Sequence, residues 1–185
     1  MDEELDEATT AALRARRGDA DAASFFVRAT QADVWRLCAH LGSRAGADDL
    51  TQETYARAFG SLHRFAARSS VRTWLLTIAR RVCADAVRSA VRSRAVEVVV
   101  EAPDELAGAG RAGDPADTVS LDAMLDALDD DRRDAFVLTQ LVGLSYAEAA
   151  DVCSCPVGTI RSRVARARTE LVEAFGLGQA RTGTS

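Results

Sequence analysis

Apolar residues recur at steps of three and four along most of the chain, which is the spacing of helices with one buried face. Between residues 20 and 94 this spacing predicts three such helices. The apolar stripe of the first helix ends just before Gly42, a residue suited to a helix C-terminus. The members of that stripe are Phe26, Thr30, Val34, Leu37, Cys38 and Leu41.

The second and third helices show the same two-sided pattern. Asp48 or Asp49 can cap the amide groups at the start of the second helix, and Ser69 or Ser70 can cap those of the third. The predicted inward residues are Leu50, Thr54, Ala58 and Leu62 in the second helix and Leu75, Ile78, Val82 and Ala86 in the third, with Arg81, Arg88 and Arg92 outward. The three helices form the first predicted domain, residues 20–94.

The helical pattern stops after the third helix. Residues 95–120 contain Pro, Gly and acidic residues without a periodic apolar face, which is typical of a linker. Within this segment, the sequence VEVVV at 96–100 is a candidate for a short extended piece. We therefore expect an all-α protein in which an acidic flexible linker joins two small helical domains.

The second predicted domain covers residues 121–175. One of its helices stops at Gly143, and Ser145 with Glu148 forms a capping box for the next helix. Pro156 then suits the first turn of the last helix, where its missing N–H group has no consequence. Two short helices joined by a tight turn, the second of them basic, are typical of the helix-turn-helix.

The net charge of −5 hides an uneven distribution. Residues 64–94 hold eight arginines against one aspartate, and residues 157–171 hold four arginines against one glutamate, so these segments carry +7 and +3. Residues 97–134 hold twelve acidic residues against three arginines, a charge of −9. Two basic segments separated by an acidic one indicate two surfaces that face a polyanion, although a solvated helix face would explain either block singly.

The last helix has a basic face and a buried face. Ile160, Val164, Ala167 and Leu171 cluster on one side of the helical wheel. The residues on the opposite side are Gly158, Ser162, Ala165, Arg166 and Thr169. The small residues among them would let the helix enter a major groove. Arginines can then reach guanine edges or phosphates, and the candidate DNA-binding residues are Arg161, Ser162, Arg163 and Arg166.

Other kinds of site have weaker support. A zinc site at Cys153 and Cys155 would need further ligands, and His40 and His63 belong to the other domain, so we expect no metal. The sequence shows no phosphate-binding loop and no catalytic constellation, so we expect neither enzymatic activity nor a cofactor. No apolar run approaches the about 20 residues of a membrane span, and the N-terminal residues are acidic, which predicts a cytoplasmic protein without membrane insertion.

Three segments in order, DDLTQETYARAF, RFAARSSVRTWLLTIARRVCADAVR and GLSYAEAADVCSCPVGTIRSRVARAR, resemble conserved segments of one family. In their order and spacing they are similar to domains 2 and 4 of the extracytoplasmic-function (ECF) sigma factors, promoter-specificity subunits of bacterial RNA polymerase in the sigma-70 family. The resemblance spans residues 22–175, and its details are similar to the actinobacterial sigma-C branch. It implies sigma domain 2 over 20–94 and sigma domain 4 over 121–175.

The resemblance also implies partners and residue roles. Core RNA polymerase would be bound through its β′ clamp helices and β flap, and an anti-sigma factor is a further possible partner. The segment DDLTQE corresponds to the helix that docks on the clamp helices, which assigns that contact to Asp48, Asp49, Gln52 and Glu53. The alternative is that the aspartates cap the helix and the other residues are solvated, and both roles can hold at once.

For promoter DNA, the resemblance implies that the first domain binds the −10 element and the second domain binds the −35 element. RFAARSS is similar to the loop that takes up an unstacked base of the −10 element, and the last helix is similar to the one that recognises the −35 element. An exposed base needs an aromatic or planar cationic partner. The −10 candidates are Phe65, Arg68, Trp74, Arg80 and Arg81, although core packing explains Trp74 at least as well.

Two other functions remain open at this stage. The first is a stand-alone helix-turn-helix regulator that binds duplex DNA without polymerase, usually as a dimer on a palindrome. The second is a thiol-based sensor built on Cys153 and Cys155, in which oxidation would change the binding of DNA or of a partner.

Overall fold

The computed structural model describes residues 5–100 and 121–182, and every regular element within these ranges is helical. The prediction of an all-α fold is therefore confirmed. In chain order the helices are α1 (Glu7–Ala15), α2 (Ala20–Leu41), α3 (Ala47–Ser61) with a 3-10 turn (Leu62–Arg64), α4 (Val71–Val100), α5 (Leu121–Asp126), α6 (Asp130–Phe136) with a π-helical turn (Val137–Leu141), α7 (Tyr146–Cys153) and α8 (Val157–Thr182).

Helices α2, α3 and α4 pack around the predicted apolar faces. All six residues of the α2 stripe are buried, with Phe26 and Leu37 fully inaccessible, and Leu75 and Val82 of α4 are also buried. Gly42 ends α2, and a Cβ atom added there would lie 2.3 Å from Leu50 Cδ1. The glycine therefore serves the close approach of α3 as well as the end of α2.

The capping prediction is correct for α4 and wrong for α3. Ser70 caps α4, because its side-chain oxygen accepts a hydrogen bond from Thr73 N at 3.2 Å. Helix α3 begins at Ala47, after Gly46, and has no side-chain cap. Asp48 therefore lies inside the first turn, where its Oδ1 accepts a hydrogen bond from Trp35 Nε1 at 2.8 Å. This tertiary contact competes for the carboxylate that the sequence assigned to the cap.

Two further features differ from the sequence analysis. Helix α1, which packs on α2 and α4, was not predicted, because its buried face consists of Thr9, Ala11 and Ala12 rather than large apolar residues. The extended piece at 96–100 is wrong, since these residues continue α4 to Val100. A helix that has already formed gains one hydrogen bond for each residue added. The rest of the predicted linker, 101–120, lies outside the described residues.

In the second half of the chain, the predicted start and stop signals are present. Gly143 has a φ of 82°, which a residue with a side chain rarely adopts, and it ends the segment of α6 and its π turn. Ser145 and Glu148 form both hydrogen bonds of the capping box at the start of α7. Ser154, with a φ of 53°, turns the chain tightly, and α8 starts after Pro156.

The two helical halves pack against each other and share one core. Helix α4 lies against α7, and α2 lies against the π turn. Polar contacts join the same halves: Arg72 Nη2 donates to the Val142 carbonyl at 2.7 Å, and Arg80 pairs with Asp134. His40 Nδ1 lies 3.0 Å from Asp122 Oδ1. The described conformation is therefore a closed one.

Candidate nucleic-acid interface

Helix α8 is held on α6 and α7 by one face, which leaves the other face exposed. Ile160, Val164, Ala167 and Leu171 are buried, as their spacing predicted. The amide groups of Thr159 and Ile160 at the start of α8 are bonded to the Pro156 carbonyl. Gly158, Ser162, Ala165, Arg166 and Thr169 are all exposed on the opposite side.

Three of the four predicted −35 residues lie on this exposed face. Arg161 and Arg166 are exposed, and neither guanidinium has a hydrogen bond or ion pair among the residues the structure describes. Ser162 is exposed too, and its hydroxyl donates to the Thr159 carbonyl at 2.9 Å. Small neighbours on either side leave room for close approach to a flat or grooved surface, while the two arginines supply charge and planar donors.

Arg163 is placed differently from the other three. Its Nη2 pairs with Asp131 of α6, and its Nη1 lies 3.6 Å from Cys155 Sγ. The side chain is 21% exposed, and both contacts hold it against the body of the domain. Arg163 was predicted to reach DNA, because the sequence could not show that Asp131, about thirty positions earlier, lies beside α8.

The segment between α3 and α4 forms the second part of the site. Phe65 is 3% exposed, and its ring centroid lies 4.9 Å from that of Trp74, which is half-buried. These two −10 candidates therefore form the support of the segment. Ala67 has a φ of 51°, the left-handed region that costs a residue with a Cβ about 1 kcal/mol. The following Arg68 is exposed and has no side-chain partner in the described part of the chain.

Arg80 and Arg81 follow on α4 and differ sharply in surroundings. Arg81 is exposed, whereas Arg80 Nε lies 2.5 Å from Asp134 Oδ2 of α6. Burial raises the pKa of Asp134, and the charge of Arg80 only partly offsets this. For Arg80, burial is the largest single influence and lowers the pKa, but the charge and the hydrogen bond of Asp134 together with smaller charge effects outweigh it, so the net shift of the pKa is upward. Arg80 is consequently occupied by the second domain in this conformation.

The four predicted polymerase-binding residues share one exposed surface of α3. Asp48, Asp49, Gln52 and Glu53 are all exposed, while Thr54 and Ala58 face the core. Asp48 accepts from Trp35, and Glu53 pairs with Arg57 at 2.7 Å. Asp49 and Gln52 have no side-chain hydrogen bond among the described residues. The result is a predominantly acidic surface supported by a rigid helix.

The two cysteines of the helix-turn-helix have unequal surroundings. Burial raises the pKa of Cys153 to about 12. Cys155 is half-buried in the turn and accepts from Arg163 through its sulfur. No group of three or more residues suited to metal binding occurs within 5–100 and 121–182.

Arg72 is a residue that sequence reasoning missed. Its Nε donates to Asp33 of α2 at 2.6 Å, while its Nη2 reaches the Val142 carbonyl. It therefore links two helices of the first domain to the second. An arginine in the first turn of an apolar helix was visible in the sequence, but its partners are distant along the chain and followed no pattern.

Comparisons with known proteins agree with this architecture. The family models for sigma-70 region 2 and sigma-70 region 4 match residues 26–93 and 118–171. The ECF RNA polymerase sigma factor SigC of Mycobacterium tuberculosis is 54% identical over 169 residues, 90% of this chain and 91% of that protein.

Two solved structures are also similar. The sigma factor RpoE from Bartonella quintana, in a co-crystal with the anti-sigma factor NepR, is 30% identical with a TM-score of 0.65, covering 80% of this chain and 92% of that one. CnrH, in complex with the cytosolic domain of CnrY, has the same fold with a TM-score of 0.72 at 24% identity, over 93% and 99% of the two chains.

A relative that is 54% identical over 90% of this chain is sufficient to assign the chain to a family. The helix-turn-helix in the second half and the helical first half occupy the regions that the two models match. The chain belongs to the ECF sigma factors of the sigma-70 family, the non-enzymatic subunits that direct promoter-specific transcription initiation by bacterial RNA polymerase.

Proposed function

We propose that this sigma factor recognises the −35 element with the exposed face of α8. The observation that carries the proposal is the pair of exposed arginines, Arg161 and Arg166, on a helix whose other face is buried. A helix fixed in this way can enter a major groove without changing its own packing. Ser162 lies between them on that face, and Arg163 contributes only after its pair with Asp131 opens.

For the −10 element, we propose that Arg68 and Arg81 make the main contacts of those predicted. Arg68 is exposed in the segment that links α3 to α4, and Arg81 is exposed on α4. An arginine plane can stack on an unstacked base. Phe65 and Trp74 would then shape the segment from below. Because Arg80 Nε is paired with Asp134 of the second domain, we propose that Arg80 contacts DNA after the two domains separate.

We propose that the exposed surface of α3 binds the β′ clamp helices of the polymerase through Asp48, Asp49, Gln52 and Glu53. A rigid helix with exposed carboxylates is suited to a basic partner surface. The second domain would bind the β flap. We propose that these contacts are made in the cytoplasm. No helix among the described residues is long and apolar enough to cross a membrane.

An anti-sigma factor remains a proposed partner. The support is the relative RpoE, which is 30% identical and was solved with the anti-sigma factor NepR. A protein that copurifies with this chain and lowers its transcription in proportion to its concentration would meet the definition. A chain that is fully active when purified from its own cells would argue against such a partner.

The test of the proposed function is run-off transcription with mycobacterial core RNA polymerase and a pool of promoter fragments. Transcripts that appear only when the chain is added establish promoter selection, and alignment of their upstream sequences gives both elements. Arg161→Ala and Arg166→Ala should then change the −35 sequences selected, while Arg68→Ala and Arg81→Ala change the −10 sequences.

Other results would favour one of the two alternative functions. Tight binding to duplex DNA without polymerase, with no new transcripts, would favour a stand-alone regulator. Loss of activity under hydroperoxide that disappears in the Cys153→Ser/Cys155→Ser variant would favour a thiol sensor.

A further inference from the structure

Helix α1 touches both ends of the segment between α3 and α4. At the first end, Arg16 Nη1, one residue past α1, donates a hydrogen bond to the Phe65 carbonyl at 2.7 Å. At the second end, Val71 N donates to Thr9 Oγ1 at 2.8 Å. Residues 66–70 lie between these two fixed points. Helix α1 itself lies outside the region that the sigma-70 region 2 model matches, residues 26–93.

The bond to Val71 has a fixed direction. The Thr9 hydroxyl has one proton to donate. Thr9 Oγ1 lies 2.6 Å from Asp6 Oδ2, so the hydroxyl donates its hydrogen bond to that carboxylate oxygen. The lone pairs of Thr9 Oγ1 are then left to accept from Val71. Asp6 also accepts from Thr9 N at 2.9 Å and so caps α1. Asp6, Thr9 and Val71 therefore form one chain of hydrogen bonds, which we call the α1 relay.

Burial gives this relay its strength. Thr9 is 0% exposed, and Val71 is also fully buried. Val71 N is one of the amide groups at the start of α4 that no helical carbonyl can satisfy. Without Thr9 it would be a buried donor with no partner, which is unfavourable enough to shift the start of α4. The other end of the segment is fixed by the Arg16 bond and by the Phe65 ring against Trp74.

The conformation between the two ends is strained. Ala67 has a φ of 51°, although alanine prefers negative values. Such a conformation persists when the surrounding contacts stabilise it by more than the conformational cost of the residue. Since Arg68 follows directly, the direction of its side chain depends on this strained residue and hence on the two anchors.

We propose that Thr9 and Arg16 are positioning residues for selection of the −10 element, acting through the conformation of residues 66–70. The inference rests on the proposed function of Arg68. Neither residue need touch DNA. Thr9 is buried, and the role of Arg16 lies in its bond to a main-chain carbonyl. The −10 preference is then set partly by a helix that precedes the DNA-binding domain in the chain.

The test is transcription by reconstituted holoenzyme on promoters with each base of the −10 element varied. Thr9→Val keeps the side-chain shape and removes the hydroxyl, and Arg16→Gln removes the guanidinium. We expect each to reduce the preference between the best and the worst base at one −10 position by about fivefold or more, the lower end of what one specific contact supplies. Preference at the −35 element should stay unchanged.

Two matched variants separate positioning from folding. Thr9→Ser keeps the hydroxyl and should restore the wild-type −10 preference. Arg17→Gln makes the same charge change next to Arg16, and the Arg17 side chain has no hydrogen bond or ion pair in the described ranges, so it should have no effect. A general loss of folded protein would lower transcription from all promoters equally, and a ratio between promoters corrects for it.

Failure of the inference differs from failure of the proposed function. If Arg68→Ala alters the −10 preference while Thr9→Val and Arg16→Gln leave it at the wild-type ratio, the positioning role is overturned. If Arg68→Ala itself leaves the −10 preference unchanged, the proposed function of the segment is wrong. Should Thr9→Val not fold, Arg16→Gln alone decides, because Arg16 is an exposed residue.

Discussion

Single side chains in the helix-turn-helix differ in chemistry despite being neighbours. Burial raises the pKa of Cys153 to about 12, so its thiol stays protonated at neutral pH and is a poor nucleophile. Cys155 lies in the turn, with Arg163 as a donor to its sulfur. The two cysteines are therefore not equivalent parts of one redox site.

We expect alkylation of the native protein at pH 8 to modify Cys155 at least about tenfold faster than Cys153. Pulse labelling with iodoacetamide, followed by fragmentation of the peptide in a mass spectrometer, gives both rates. Cys155→Ser should remove the fast label, and urea should make the two rates similar. Equal rates in the folded protein would show that the Cys153 thiol is not protected.

Arg166 is the residue whose removal should be most specific. Because it is exposed without a described partner, Arg166→Ala should leave the fold intact and weaken −35 recognition by about 1–3 kcal/mol, with relaxed preference at one position. Run-off transcription on promoters with single −35 changes measures this. Arg168→Ala is the control, since Arg168 is bonded to Gln140 at 2.7 Å. A uniform loss on all −35 sequences would indicate a phosphate contact instead.

At the scale of helices, sequence periodicity predicted what depends on neighbours three and four positions away. The α2 stripe, the buried side of α8 and the Ser145 capping box are all of this kind, and all are confirmed. Two features were missed for different reasons, the first a contact between distant segments and the second a helix without large buried side chains. Asp48 bonds to Trp35 instead of capping α3, and α1 buries only small residues, so neither produced a pattern.

In the candidate site as well, features that depend on a single helix were predicted and features that depend on tertiary packing were not. Exposure of Ser162 and Arg166 followed from the helical wheel, because it depends on α8 alone. The ion pairs of Arg80 and Arg163 with α6 depend on tertiary packing, as does the burial of Phe65. A basic segment in a sequence thus predicts a charged helix, while packing decides which of its arginines remain available.

The capping box of α7 gives a test at this scale. Ser145→Ala removes the acceptor for Glu148 N, so the free energy of unfolding should fall by about 1 kcal/mol. Urea unfolding followed by circular dichroism measures it. Ser89→Ala on the exposed side of α4 is the control and should change stability little, since alanine is a good helix former. An equal loss in both variants would mean that the box contributes nothing specific.

For the whole molecule, the closed packing of the two domains places a carboxylate in an unfavourable position. Asp134 has 15% of its side chain exposed, and its pKa is raised by burial. An acid with a raised pKa in the folded state favours folding most at low pH, and this contribution is lost as the pH rises through that pKa. Arg80 is the cation that makes the charged form tolerable.

We therefore expect Arg80→Gln to loosen the packing of the domains at neutral pH. A charge without its partner would destabilise the closed state by up to about 3 kcal/mol, less than for a fully buried pair because this one is partly exposed. Small-angle X-ray scattering should show a larger radius of gyration. Lowering the pH, or adding Asp134→Asn to the variant, should restore compactness because either change removes the unpaired charge.

Arg88→Gln provides the matched control for that experiment. Arg88 lies on the same helix and pairs only with Asp85, at 2.6 Å, within the described part of the chain, so its loss should leave the radius of gyration unchanged. If Arg80→Gln were as compact as wild type at neutral pH, the ion pair would not contribute to closure.

The hydrogen bond from Arg72 to the Val142 carbonyl also stabilises the closed packing, but mutations at its two ends should have unequal effects. The acceptor is a main-chain oxygen, which every amino acid at position 142 would still provide, whereas the donor exists only while position 72 is arginine. A genetic selection for chains that stay open would therefore find this bond sensitive to mutation on one side only. In a lineage of such proteins, position 142 can drift among apolar residues without loosening the link.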